Sequence, residues 1–227
     1  MVARPLADPS AGYGARVIVA AVLVLALAAG AEALDVGVAP YRQAAQTGEV
    51  GTVSGRAYAE SRRPTDAPRP LTGVTVTLVP RSPALLLAFE RLKEDARRSS
   101  KAFAAAAPAM RKAQESYERE LVLAGAPDLA PRLAVAADGG FQVTEVPAGA
   151  WLVIAWQSTP VDVSTPKVRA REQKTYQLGG RVTGYQAVTV WLREVTVARG
   201  ETAALELTDR NEWFRGVIEE KTLDAGR

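Results

Sequence analysis

The sequence predicts a mainly β domain, a small sandwich interrupted by a helical insertion, and three observations carry that prediction. The first is turn chemistry. Asp138-Gly139-Gly140 supplies a tight turn, Phe141 to Val146 alternate, Pro147-Ala148-Gly149 makes a corner, and Trp151 opens another strand. This reads as a β-hairpin, because glycine supplies positive φ and proline presets its own. The second is Val74, Val76 and Leu78 alternating with Thr75 and Thr77, the period of a half-buried strand. The third is an abrupt change of period. From Leu85 through Phe89, Leu92, Phe103, Met110 and Tyr117 to Leu121, apolar residues recur at helical steps.

Residues 1–33 read as an export signal. Arg4 and Arg16 precede an uncharged apolar run, Val17 to Ala31, and Ala31-Glu32-Ala33 matches a small-x-small cleavage site. The run is shorter than the roughly 20 residues of a membrane span. An uncleaved anchor and a buried helix stay open beside a cleaved signal. Residues 34–48 read as a loose leader, and Glu49 to Ala59 as a strand. The proline-rich stretch 61–70 is a polar loop that cannot continue a ladder. Pro80 stops the strand of Val74 to Leu78.

Ser82-Pro83 is a helix N-cap followed by proline at the first helical position, and Gly125 with Pro127 supplies the stop. Opposite charges four apart at Arg91/Asp95, Glu94/Arg98 and Glu115/Arg119 suit an exposed helix face. Pro108 interrupts the segment, which is either one kinked rod or a helical hairpin bending at residues 105–108. The hairpin is favoured, since it returns the chain to the sheet. After the Phe141–Val146 and Trp151–Gln157 strands, residues 158–186 read as irregular. Val188 to Val197 is a strand, Arg199-Gly200 its turn, and Ala203, Leu205 and Leu207 alternate on the returning partner. Residues 209–227 are expected to form a short helix, with Trp213, Phe214, Val217 and Ile218 on one side, and a tail.

The chain has no histidine and no cysteine in 227 residues. Histidine-dependent triads, cysteine nucleophiles, imidazole-ligated metals and blue copper are thereby excluded. Disulfides are absent too, so the core alone must hold the fold. With 28 basic and 25 acidic residues, the net charge is +3 and well mixed. That is a solvated surface, not a nucleic-acid footprint. Glu118 and Glu120 point different ways on a helix. Asp138 is turn chemistry, and Ser99-Ser100-Lys101 lacks nucleophile–base spacing. No enzyme, cofactor or metal is expected.

Gly51-x-Val53-x-Gly55-Arg56, Pro70-Leu71-x-Gly73-Val74-x-Val76-x-Leu78, Asp138-Gly139-Gly140-Phe141, Val146-Pro147-x-Gly149-x-Trp151 and Val195-x-Val197-x-x-Gly200-x-Thr202 come in a telling order. With these motifs the chain resembles the carboxypeptidase regulatory-like domain, a transthyretin-like β-sandwich of exported bacterial proteins. The resemblance implies a seven-strand, prealbumin-like Greek-key sandwich over residues 49–208, with the insertion at 82–124. It implies a non-catalytic module for folding, adhesion or binding. Residues 82–135 depart from it, since the family crosses this gap with a short loop. Some relatives carry a Lys–Asn isopeptide bond, but the single asparagine here, Asn211, lies outside the sandwich strands.

Two assignments of the tryptophans stay open. In one, Trp151, Val153 and Ala155 face the core, and Leu152, Ile154 and Trp156 lie under the insertion and the Trp213-Phe214 pair. In the other, Trp156 and Trp191, with Leu152 and Ile154, form a binding surface for a sugar or a protein partner. The helical stripe likewise either packs on its own sheet or pairs with another chain. The expected function is an exported, periplasmic or envelope accessory domain that presents a sheet face or helical arm to a protein. A structural oligomer and a carbohydrate-binding module are the alternatives.

Overall fold

The structure, a computed structural model, describes residues 35–61, 63, 66–161 and 181–222. The expected export signal, most of the stretch read as irregular, and the C-terminal tail lie outside the described residues. In chain order the elements are α1 (Ala39–Gln46), β1 (Val50–Ala59), β2 (Arg69–Pro70), β3 (Val74–Pro80), α2 (Pro83–Asp95), α3 (Ser100–Leu123), β4 (Arg132–Ala134), β5 (Gly140–Pro147), β6 (Gly149–Val161), β7 (Arg181–Val197), β8 (Thr202–Thr208) and β9 (Phe214–Thr222). The fold is a mainly β sandwich with a helical hairpin inserted between β3 and β4. In the first sheet β1 pairs with β2 and β5 antiparallel and with β8 parallel. The second has the antiparallel order β4-β3-β6-β7-β9.

Between the sheets lies one core, with Val53 and Ala57 from β1, Val76 and Leu78 from β3, Phe141 from β5, Trp151 and Val153 from β6, Trp191 from β7 and Leu207 from β8. The two buried indoles donate to backbone carbonyls, Trp151 Nε1 to Pro147 at 2.8 Å and Trp191 Nε1 to Thr208 at 2.7 Å. A buried N–H without such a partner would cost about 1–3 kcal/mol.

Several local expectations change under tertiary context. Phe141–Val146 and Trp151–Gln157 do not form a hairpin: β5 pairs with β1 and β6 with β3 and β7. Pro147-Ala148-Gly149 is a corner between sheets, where Gly149 takes φ 149° and an added Cβ would stand 2.8 Å from the Tyr41 ring. Ala203 to Leu207 does not return beside β7 either; β8 crosses to lie parallel to β1. Turn residues reverse a chain equally well within a sheet and between sheets.

The loose leader is in fact α1. Its Tyr41 hydroxyl donates to the Ala150 carbonyl at 2.6 Å, and its ring stands edge-on to Trp151 at 5.2 Å. Residues 158–161 and 181–186, read as irregular, extend β6 and β7. Residues 214–222 are the strand β9, not a helix, because β7 offers it a ladder running from Val190↔Phe214 to Arg181↔Thr222. The β-branched Val217 and Ile218 suit that pairing. An added Cβ at Gly216 would meet the Phe214 ring at 2.6 Å.

The insertion bends as a hairpin, but not at Pro108. The break falls at residues 96–99, where Ser99 is extended and accepts a hydrogen bond from Ala102 N at 3.1 Å. A serine cap satisfies a free N–H there, whereas Pro108 removes one and stays inside α3. Ser82 caps α2 as expected, accepting from Leu85 N at 2.9 Å. At the far end Gly125, at φ 71°, allows Ala126 N to donate to Leu121 O at 2.8 Å, a Schellman stop.

Candidate functional site

The outer face of the second sheet is where the sequence placed its candidate site residues. Leu152, Ile154 and Trp156 alternate with the core residues of β6, as their spacing requires. They meet Phe89 of α2 and Met110, Tyr117 and Leu121 of α3, with Val190 and Phe214 alongside. Leu152 and Ile154 are fully buried, Trp156 is 8% exposed and Trp191 is 1% exposed in the inter-sheet core. These four do not make an accessible surface, and neither indole can stack on a sugar from solvent. The reason is packing. A strand apolar on both faces needs cover on both, and the insertion supplies the second.

Polar contacts tie that cover in place. Trp156 Nε1 donates to Gln114 Oε1 at 2.7 Å, Gln114 Nε2 donates to Glu118 at 2.7 Å, and Arg132 of β4 holds Glu118 through Nη2 at 2.7 Å. The Arg111 guanidinium lies 5.1 Å from the Trp156 ring, and Lys93 lies 4.3 Å from that of Trp213. The Tyr117 hydroxyl donates to Pro80 O at 3.1 Å, and burial pushes its pKa up. No buried side-chain N or O among the described residues lacks a partner.

The outer face of the first sheet is different. Thr52, Ser54, Arg56 and Tyr58 of β1 point away from the core, flanked by Gln142 of β5 and by Ala204 and Glu206 of β8. Arg56 stands opposite Glu206 in the ladder, and the Tyr58 hydroxyl donates to Glu206 Oε2 at 2.9 Å. That hydrogen bond raises the Tyr58 pKa. No described residue of the insertion covers this face. Sequence reasoning missed it, although the polar residues at every second position, Thr52, Ser54, Arg56 and Tyr58, were there to be read.

Between α3 and β9 an open groove of about 610 Å³ is lined by Ser100, Lys101, Ala104, Ala105, Pro108, Ile218 and Glu219. Among the described residues no three carboxylates converge as a metal site. Asp138 Oδ1 accepts from Gly140 N at 2.8 Å, as turn chemistry requires. Asn211 is engaged at both ends of its amide, accepting from Thr208 N at 2.9 Å and donating to Glu206 O at 3.0 Å.

Fold and surfaces define a β-sandwich roofed by helices on one sheet and open on the other. No protein-family model matches the chain, and no protein of curated function does. Among solved structures it is similar to a putative carbohydrate binding protein from Pseudomonas aeruginosa, at 12% identity and a TM-score of 0.37, over 70% of this chain and 88% of the other. It is also similar to a minor pilin of Streptococcus agalactiae, at 10% identity and a TM-score of 0.29, over 79% of this chain and 48% of the other. The third likeness is to the pilus backbone protein of Streptococcus pneumoniae, at 11% identity and a TM-score of 0.26, over 70% and 40%. The chain therefore spans less than half of either pilus protein.

Proposed function

We propose that this chain is an exported, non-catalytic binding domain of the carboxypeptidase regulatory-like type, and that it presents the outer face of its first sheet to a protein partner in the cell envelope. One observation carries the reading: the apolar outer face of the second sheet is roofed, while the outer face through Thr52, Ser54, Arg56 and Tyr58 is polar and partly exposed. Arg56 and Glu206, adjacent on this face, offer both signs to a partner. Export is supported by the Arg4/Arg16, apolar-run and Ala31-Glu32-Ala33 pattern. A photo-crosslinking residue at Ser54 is expected to give a discrete adduct in envelope fractions that Arg56→Glu weakens, while one at Lys112 on α3 gives none. Equal labelling from both sites, or none from Ser54, would overturn the proposal.

The rival reading, an oligomer zipped through the insertion, is disfavoured because Leu85, Phe89 and Met110 are spent on the chain's own sheet. Light scattering is expected to give a monomer. A stable dimer lost on altering α2 would restore that rival.

A further inference from the structure

We infer that the outer edge of β9, with the groove it shares with α3, binds an extended peptide segment of another protein as an added strand. β9 is the edge of the second sheet and, at nine residues without a proline, the longest edge strand among the described residues. Register fixes which of its main-chain groups are open. Leu78 N donates to Pro131 O at 3.0 Å, so Leu78 turns its backbone groups toward β4. Its partner Val153 therefore turns its own toward Arg193 of β7, and the odd-numbered residues from Thr189 to Arg193 face β6. The even-numbered residues between and beside them face β9, where Val188 stands opposite Gly216. Arg215 and Val217 are left with N–H and C=O directed away from the sheet.

The facing wall supplies a second unpaired group. Pro108 has no N–H to give the carbonyl of Ala104, one turn earlier in α3, and both residues line the groove. Unpaired backbone on both walls selects a ligand that is itself backbone. A lone extended segment has two free edges, one for β9 and one for α3. The β9 of a second copy has only one, since its other is spent on β7. Side chains decide what the segment carries. Ala104, Ala105 and Ile218 leave room for small apolar groups. Lys101, exposed on the α3 wall, suits an acidic residue, while Glu219 on the β9 wall is already engaged.

This site is separate from the first-sheet face, and Arg56→Glu keeps the two apart. The probe is a library of random peptides of about ten residues, the upper length of a common strand, displayed on phage and selected on the purified full chain. Selected peptides are expected to be rich in β-branched residues and to carry an acidic one. Synthetic copies are expected to slow amide hydrogen exchange at Val217. Val217→Pro removes only an outward N–H and should weaken binding roughly tenfold. Ala104→Trp fills the groove and should do the same, whereas Arg56→Glu leaves binding unchanged. Peptides N-methylated at alternate residues test the same bonds on an unaltered chain, and one of the two frames should not bind. No enriched peptide, both N-methylated frames binding as well as the parent, or unchanged exchange at Val217 would each overturn the inference. So would a concentration-dependent dimer that Val217→Pro abolishes, because the edge would then belong to a second copy.

Discussion

The two outer faces of this sandwich differ in a way that begins in single strands. On β6 the residues from Trp151 to Trp156 are all buried. On β1 buried residues alternate with half-buried or exposed Thr52, Ser54 and Arg56. A strand of the first kind must be central in its sheet and covered twice, whereas the second is content with water on one side. The chain meets the first requirement with an insertion of two helices instead of a second subunit. An insertion that spends its apolar stripe on its own sheet is a roof, and its remaining surface is free for other contacts.

The sharpest way to break that contrast is Phe89→Ala. The ring is fully buried under the roof, and its loss is expected to cost about 3–5 kcal/mol. Tyr58→Ala on the open face should cost under about 1 kcal/mol. Denaturant titration of both variants checks the ratio, and similar costs would mean that the roof is loosely packed. Next is Trp156→Phe, which strands Gln114 Oε1. A loss of about 1–3 kcal/mol is expected, partly recovered by adding Gln114→Leu, and the double variant's midpoint decides it.

Tyr117→Phe removes one buried hydrogen bond, worth about 1 kcal/mol. It also sharpens the pH behaviour. Burial raises the Tyr117 pKa, so the folded state keeps its proton when the unfolded chain begins to lose it near pH 10. Stability should therefore fall as pH rises above that value, and less steeply in the Phe variant. Melting curves from neutral to alkaline pH test the sign.

The smallest effect is expected on the open sheet, at Glu145. This residue holds φ 58° in the bulge where Thr144 and Glu145 oppose Thr52 alone. Glu145→Gly should relieve up to about 1 kcal/mol and raise the melting temperature slightly. A drop would show that the carboxylate does something the backbone does not.

That bulge shows how far pattern reading goes. Phe141 and Val143 face the core two apart, but Val146 follows after three. Strict alternation would turn Val146 to solvent, and the extra residue corrects the phase. Ser82, Gly125 and the placing of Trp151 and Trp156 on opposite faces were legible because each follows from local geometry: a cap, a left-handed stop, a two-residue period. The break at Ser99 instead of Pro108 was less legible, since it required weighing one cap against one lost donor. The open Thr52–Tyr58 face was written in the alternation, yet nothing local marks a solvated face as a binding one.

By itself the sequence determined the fold class, the place of the insertion, its caps and the exclusion of histidine and cysteine chemistry, because residue type and spacing act over one or two turns. Only the tertiary structure decided which strands are neighbours. Gly149 and Gly200 turn the chain without saying toward which sheet, and Phe214 to Thr222 take a strand because β7 has an open edge to complete. Hydrogen bonding between strands and the cover of an apolar face are satisfied by residues distant in sequence. Local preference yields to them wherever it is weak.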